Sequence, residues 1–161
     1  MIEPIIGFLT FFTIMFFVIR SANKSRSKQY EILTQSIKSE TILFIEQAKS
    51  FTMTAGLKNR DFLFNRCDIY LIQDAIIILG FTKNSLLKQL SLPIIITHNA
   101  EYVSRFNFAY VRKPNNINFD NEQVKITFGE KGTLGTDVVI KLLGLTETQI
   151  AAMRSFVQKN C

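Results

Sequence analysis

The sequence is poor in the residues that carry most catalytic and metal-binding chemistry. Its 161 residues include two cysteines, three prolines and a single histidine. Two cysteines are too few for a disulfide-built scaffold, and one histidine, His98, excludes a multi-histidine metal site. We therefore predict no metal and no cofactor, and we predict that Cys67 and Cys161 are free thiols.

Local reaction motifs are missing as well. The chain contains no G-x-S-x-G, H-E-x-x-H, P-loop or C-x-x-C sequence. The glycines at 129, 132 and 135 precede neither a Lys-Ser or Lys-Thr pair nor a helix start, so they indicate turns. We expect no catalytic residues and a protein that is not an enzyme, which leaves open only a site assembled from residues distant in sequence.

The longest uncharged run lies at the start of the chain. Residues 5–19 read IIGFLTFFTIMFFVI, and adding residues 2–4 gives eighteen residues with Glu3 near the outer end. A membrane-spanning helix needs about 20 apolar residues, with a range of roughly 17–25. The pattern predicts a transmembrane anchor over residues 1–20. A cleaved signal peptide, which would lack its usual basic start and small-residue cleavage site here, and a buried helix are the alternatives.

A basic segment follows the apolar run. Residues 20–28 contain no acidic residue and four basic ones, which are Arg20, Lys24, Arg26 and Lys28. By the positive-inside rule, this segment predicts a single-pass protein of the inner or plasma membrane with its C-terminal domain in the cytoplasm. The same four residues could form a membrane-surface patch that attracts anionic lipid. Residues 29–161 have 15 basic and 12 acidic residues, a net charge of only +3, so we predict no nucleic-acid partner.

The remainder of the chain predicts one helix, several strands and a closing helix. Apolar residues at helical spacing over 29–50 predict an amphipathic helix. Alternating or β-branched runs then predict about seven short strands within 51–143. They include a buried strand over 75–81, one strand over 103–111 and two strands over 123–129 and 136–143, with turns over 113–121 and 131–135. Thr146 and Gln149 match a capping box, with Leu145 and Ile150 placed as a hydrophobic staple, so a helix is expected to run to about residue 159. We divide the chain into an anchor (1–20), a basic juxtamembrane segment (21–28), an amphipathic helix (29–50) and a domain (51–161).

The order of these elements resembles that of bacterial pleckstrin-homology-like (PH-like) domain proteins with an N-terminal membrane anchor. The resemblance is carried by residues 66–81 (RCDIYLIQDAIIILGF) and 138–156 (VVIKLLGLTETQIAAMRSF), and it covers about residues 51–159. It implies an α+β fold in which a roughly seven-stranded antiparallel sandwich or partly open barrel is capped by the C-terminal helix.

The resemblance also implies a binding loop between the first two strands. Lys58 and Arg60 would lie in that loop and Arg66 on the second strand, and these three are the candidate lipid- or partner-binding residues. The spacing departs from the family pattern, which places a second basic pair close together on that strand, and Asp61 weakens the local positive potential. A solvated turn is the alternative interpretation.

Three functional hypotheses follow. The first is a non-enzymatic, membrane-anchored PH-like adaptor at the cytoplasmic membrane surface that binds a protein partner or lipid through a sheet edge or residues 58–66. The second is a structural subunit of a membrane assembly that self-associates through the Phe-rich span and helix 28–50. The third is a domain secreted after signal cleavage.

Overall fold

The computed structural model describes residues 3–56, 59–83, 88–120, 123–129 and 135–160, and everything below refers to these residues. A long helix is followed by eight strands, with short helical segments between some of them, and a closing helix. In chain order the elements are α1 (Glu3–Ile37), β1 (Leu43–Ala55), a 3-10 helix (Asn59–Phe62), β2 (Arg66–Leu71), β3 (Ala75–Phe81), β4 (Ile94–Thr97), α2 (Glu101–Arg105), β5 (Tyr110–Arg112), β6 (Asn116–Phe119), β7 (Gln123–Gly129), β8 (Asp137–Leu143) and α3 (Glu147–Asn160).

The strands form one mixed sheet in the order β5-β4-β3-β2-β1-β8-β7-β6. Neighbouring strands pair antiparallel except β4 and β5, which are parallel because α2 carries the chain back between them. The prediction of about seven strands, all antiparallel, is therefore wrong. The sheet is also curled: Tyr110 on β5 and Phe128 on β7 lie near opposite ends of the strand order, yet their ring centroids are 6.0 Å apart.

Strand β1 is the centre of this curl. Its first half pairs with β2 and its second half with β8, and a bulge lies between Ile45 and Ala48. Gln47 within the bulge has a φ of 49°, a left-handed conformation that non-glycine residues rarely adopt. The predicted amphipathic helix over 29–50 is therefore wrong in its second half, because residues 43–50 belong to this strand.

Two apolar clusters cover the two faces of the sheet. The inner face packs on α3 and the 3-10 helix, with Phe62, Ile126, Ile140 and Met153 among its fully buried side chains. The outer face of β3 and β4 packs on the second half of α1 and on α2. Every residue of β3 is consequently buried, which confirms the prediction of a buried strand over 75–81.

The C-terminal helix begins as its sequence predicts. The amide of Thr146 donates to Oε1 of Gln149 (2.9 Å), and the amide of Gln149 donates to Oγ1 of Thr146 (3.3 Å), so the capping box is formed. Leu145 and Ile150 on either side of the cap are both buried in the inner cluster. The helix closes the concave side of the sheet.

Helix α1 has two parts that differ in their surroundings. From residue 23 onward the helix packs on the sheet and the segment before β4. Leu33 and Ile37 are fully buried, and the Tyr30 hydroxyl donates to the carbonyl of Gly80 (2.8 Å). Those residues of 10–22 whose exposure the structure describes are exposed, apart from the half-buried Ile19. We call residues 10–19 the arm, and its exposed large side chains are Phe11, Ile14, Met15, Phe16, Phe17 and Val18.

The structure corrects the membrane prediction. Across the described residues, no helix is both long enough and apolar enough to cross a membrane. A bilayer crossing needs about 20 apolar residues, and α1 instead runs from its apolar start into a more polar second half, whose Leu33 and Ile37 dock on the sheet. The predicted transmembrane anchor at residues 1–20 and the single-pass inner-membrane location derived from it are therefore wrong.

Two further segments differ from their predictions. Residues 103–111, expected to form one strand, divide between α2 and β5, because Tyr102 and Phe106 are buried four residues apart on one helical face. The turn expected over 113–121 contains β6, an edge strand whose Asn116 and Asn118 are exposed. The turn expected over 131–135 lies almost wholly outside the described residues.

Candidate functional site

The outer face of the sheet is only partly covered. Helices α1 and α2 pack on β3 and β4, whereas the outward side chains of β1, β8, β7 and β6 are exposed or half-buried. Side chains alternate between the two faces along each strand, so every second residue of these strands points away from the inner cluster. This uncovered region spans four adjacent strands of the described structure.

The strand register brings basic and apolar residues together on this surface. Lys49 pairs with Arg66 on one side and with Leu143 on the other. Phe51 pairs with Lys141, which in turn pairs with Lys125, and Met53 pairs with Val139. We call the following set the basic face: Lys49, Phe51 and Met53 on β1, Arg66 on β2, Lys125 on β7 and Lys141 on β8.

No cation of the basic face forms a salt bridge within the described residues. The salt bridges formed among the described residues join Arg26 to Asp61 and Arg105 to Glu40, and none involves a cation of this face. Arg66 donates from Nη1 to the carbonyl of Gln47 (3.1 Å). Phe51 and Met53 are each 53% exposed beside these cations, so the face combines positive charge with apolar surface.

The structure tests the predicted binding loop only in part. Lys58 lies outside the described residues, and Arg60 lies in the 3-10 helix with its side chain not described. Arg66 lies on β2, the second strand, as predicted. It points to the outer face of the sheet beside Lys49. The grouping of Lys58, Arg60 and Arg66 stays a prediction, whereas Lys49, Lys125 and Lys141 are neighbours that the sequence alone did not indicate.

The predicted membrane-surface patch is not one uniform group. Arg20, Lys24 and Lys28 are exposed on α1. Arg26 is not free: Nη1 donates to the carbonyl of Leu90 (2.5 Å) and Nη2 to Oδ1 of Asp61 (2.5 Å). Asn23, one turn earlier, donates to the carbonyl of Lys88 (2.6 Å). These contacts fasten α1 to the segment before β4.

A cleft of about 870 Å³ lies where the α1–β1 connection, the β2–β3 turn and α2 meet. Asp74 is held there by the Tyr102 hydroxyl (2.6 Å to Oδ1) and by Nδ2 of Asn99 (3.0 Å to Oδ2). Arg105 is paired with Glu40 (2.8 Å). Burial, followed by the hydrogen bond to Asp74, raises the pKa of Tyr102, so its hydroxyl stays protonated at neutral pH. The polar groups of this cleft mainly satisfy one another, which is typical of a structural network.

The part of the chain that the structure describes shows no cluster of metal ligands and no accessible cysteine thiol. Cys67 is fully buried, and this burial raises its pKa to about 12, so the reactive thiolate is scarce at neutral pH. His98 is exposed after β4. The described residues contain no group of three or more His, Cys, Asp or Glu side chains that could hold a metal ion.

Comparison with known proteins gives no relative: no family model, no curated protein and no solved structure matches the chain.

Proposed function

We propose that the chain is a non-enzymatic binding module that attaches to a partner protein through the arm of α1. The observation that carries this proposal is the exposure of six large apolar side chains on one short stretch of helix, from 41% for Phe16 to 63% for Phe17. Soluble surfaces rarely leave such a group uncovered, and contiguous apolar patches usually mark interaction sites.

The size of the arm supports an interface. If about 200 Å² is taken for a whole aromatic side chain, the exposed fractions leave on the order of 600 Å² of apolar surface. A specific interface of ordinary size buries roughly 800 Å² on each partner. The arm alone therefore approaches the area of a stable contact, and the exposed Arg20 and Lys24 add a polar rim at its end.

A second candidate function is self-association, which the arm also favours. Of the two regions expected to drive it, the second half of α1 is occupied, because Leu33 and Ile37 are buried against the sheet. The exposed arm is the part of α1 that remains available to another copy. The resemblance to PH-like domains and the absence of enzymatic activity stay predictions and form part of this proposal.

The experiment is site-specific photocrosslinking of the full chain in its native cells. Phe17 is replaced by p-benzoylphenylalanine, and Leu63, 48% exposed and outside the arm, is replaced in the same way as the matched control. Crosslinks from position 17, but not from position 63, to one identified protein are expected. Crosslinks to a second copy would favour self-association instead, and adducts with lipid alone, or identical products from both positions, would overturn the proposal.

A further inference from the structure

The basic face places four cations on four adjacent strands. Arg66, Lys49, Lys141 and Lys125 follow one another across β2, β1, β8 and β7. Arg66 and Lys49 are direct cross-strand neighbours, and so are Lys141 and Lys125. Lys49 and Lys141 are diagonal neighbours, because Lys49 pairs with Leu143. Adjacent strands lie about 4.8 Å apart, so the four cations span about 14 Å across the strands.

This arrangement opposes stability of the isolated fold. Like charges placed directly opposite each other on a sheet repel, and two such pairs occur here. None of the four cations has a salt bridge within the described residues. A bound anion would relieve both repulsions at once, so the arrangement indicates a surface that is completed by a negatively charged partner.

The exposed apolar side chains of the basic face indicate that the partner carries apolar groups as well as negative charge. Phe51 and Met53 are exposed on β1, and Val139 beside Met53 is half-buried. A partner with carboxylates alone would leave these side chains in water. An extended protein segment places alternate side chains on one face about every 7 Å, close to the diagonal spacing of Lys49 and Lys141, and can supply apolar side chains between its carboxylates.

We infer that the basic face binds an acidic protein segment in which carboxylate and apolar side chains are interspersed. Single-stranded nucleic acid fits less well, because its binding depends on several stacking aromatics and Phe51 is the one aromatic of the face. A bilayer surface fits less well too, because the polar Asn118 and Thr127 lie beside the lysines. This inference is independent of the arm, and its failure would leave the proposed function standing.

The experiment measures binding of a fluorescent peptide with alternating Glu and Leu to the full chain. The test variant carries Lys125→Glu and Lys141→Glu, and the matched control carries the same charge changes at the exposed Lys38 and Lys113, away from the face. We expect the peptide to bind about tenfold more weakly to the test variant and within about twofold of wild type to the control. Phe51→Ser should also weaken binding, and a peptide with Ser in place of Glu should not bind.

Three results would overturn the inference. They are no binding of the acidic peptide, equal weakening by the test and control variants, or lysine-dependent binding that is tighter to oligothymidine or to phosphatidylserine vesicles than to the peptide. The last result would identify nucleic acid or lipid as the partner. The test variant replaces one like-charge pair with another, so its unfolding midpoint should stay near the wild-type value, and lost binding is distinguished from lost structure.

Discussion

Lys125 on β7 and Lys141 on β8 are directly opposed cross-strand neighbours on an exposed sheet face, and neither forms a salt bridge among the described residues. Directly opposed residues of an antiparallel pair have Cβ atoms about 4.5–5.5 Å apart, so the two ammonium groups repel. The pair therefore lowers the stability of the fold in the absence of a partner.

Lys141→Glu should stabilise the free protein, because it converts this repulsion into attraction. We expect a gain of roughly 0.2–1 kcal/mol in the free energy of unfolding, measured by urea denaturation at low salt. The double variant with Lys125→Glu restores a like-charge pair and should return the stability to near the wild-type value. A loss of stability in the single variant would contradict the repulsion.

The strands that carry the lysines of the basic face were predictable from the sequence, but the proximity of these lysines to one another was not. The alternation in residues 123–129 and 136–143 is visible in the sequence, and the structure confirms strands β7 and β8 there. However, Lys49, Lys125 and Lys141 become neighbours only because β8 lies between β1 and β7 in the sheet. Strand order is a property of long-range pairing, and local patterns do not determine it.

Long-range strand pairing also explains why the helix predicted through residue 50 is wrong in its second half. The bulge at Gln47 separates the inward-facing Ile45 and Ala48 by three positions, which is the spacing of a helix and not of a regular strand. Pairing with β2 and β8 overrides that local signal. The capping box of α3, by contrast, depends on residues three apart and was predictable from the sequence alone.

Arg26 should contribute more to stability than its neighbours in the basic segment. Arg26→Met removes the hydrogen bonds to Leu90 and Asp61, and we expect a loss of about 1–3 kcal/mol in the free energy of unfolding. Asp61 is partly exposed, so the ionic share of this loss is small. Lys24→Met on the exposed side of the same helix is the control and should change stability by less than about 0.5 kcal/mol. Equal effects of the two variants would show that Arg26 does not fasten α1.

Cys67 should make stability fall with rising pH. Its pKa is about 12 in the folded protein and about 8.5 in an unfolded chain. Below pH 8.5 both states keep the proton, and stability is unaffected. Between these two pKa values only the unfolded state ionises, so the folded state loses about 2 kcal/mol by pH 10.

The measurement compares the Cys161→Ser protein with the same protein carrying Cys67→Ala, unfolded by urea at several pH values. Both retain the same tyrosines, so the contributions of tyrosine ionisation cancel. The cavity left by alanine lowers stability at pH 7, and this difference should narrow as the pH rises. A difference that does not change with pH, or labelling of Cys67 by a thiol reagent in the folded protein, would refute the burial argument.

Gly80 on β3 should not tolerate a side chain, because of close packing on the inner face. A Cβ atom at this position would overlap the ring of Phe64 and approach Oγ of Ser91 to 2.7 Å. Phe64 is buried in the inner cluster, so its ring cannot move without displacing other side chains.

Gly80→Ala should therefore lower the free energy of unfolding by about 1–3 kcal/mol. Gly7→Ala, at an exposed helical position with nothing near its Cβ, should be neutral or stabilising by up to about 1 kcal/mol. Overlap with Phe64 also predicts coupling: adding Gly80→Ala to a Phe64→Leu protein should cost less than adding it to the wild type, because leucine leaves room beside residue 80. Equal costs in the two backgrounds would mean that backbone strain, and not the Phe64 ring, excludes a side chain at this position.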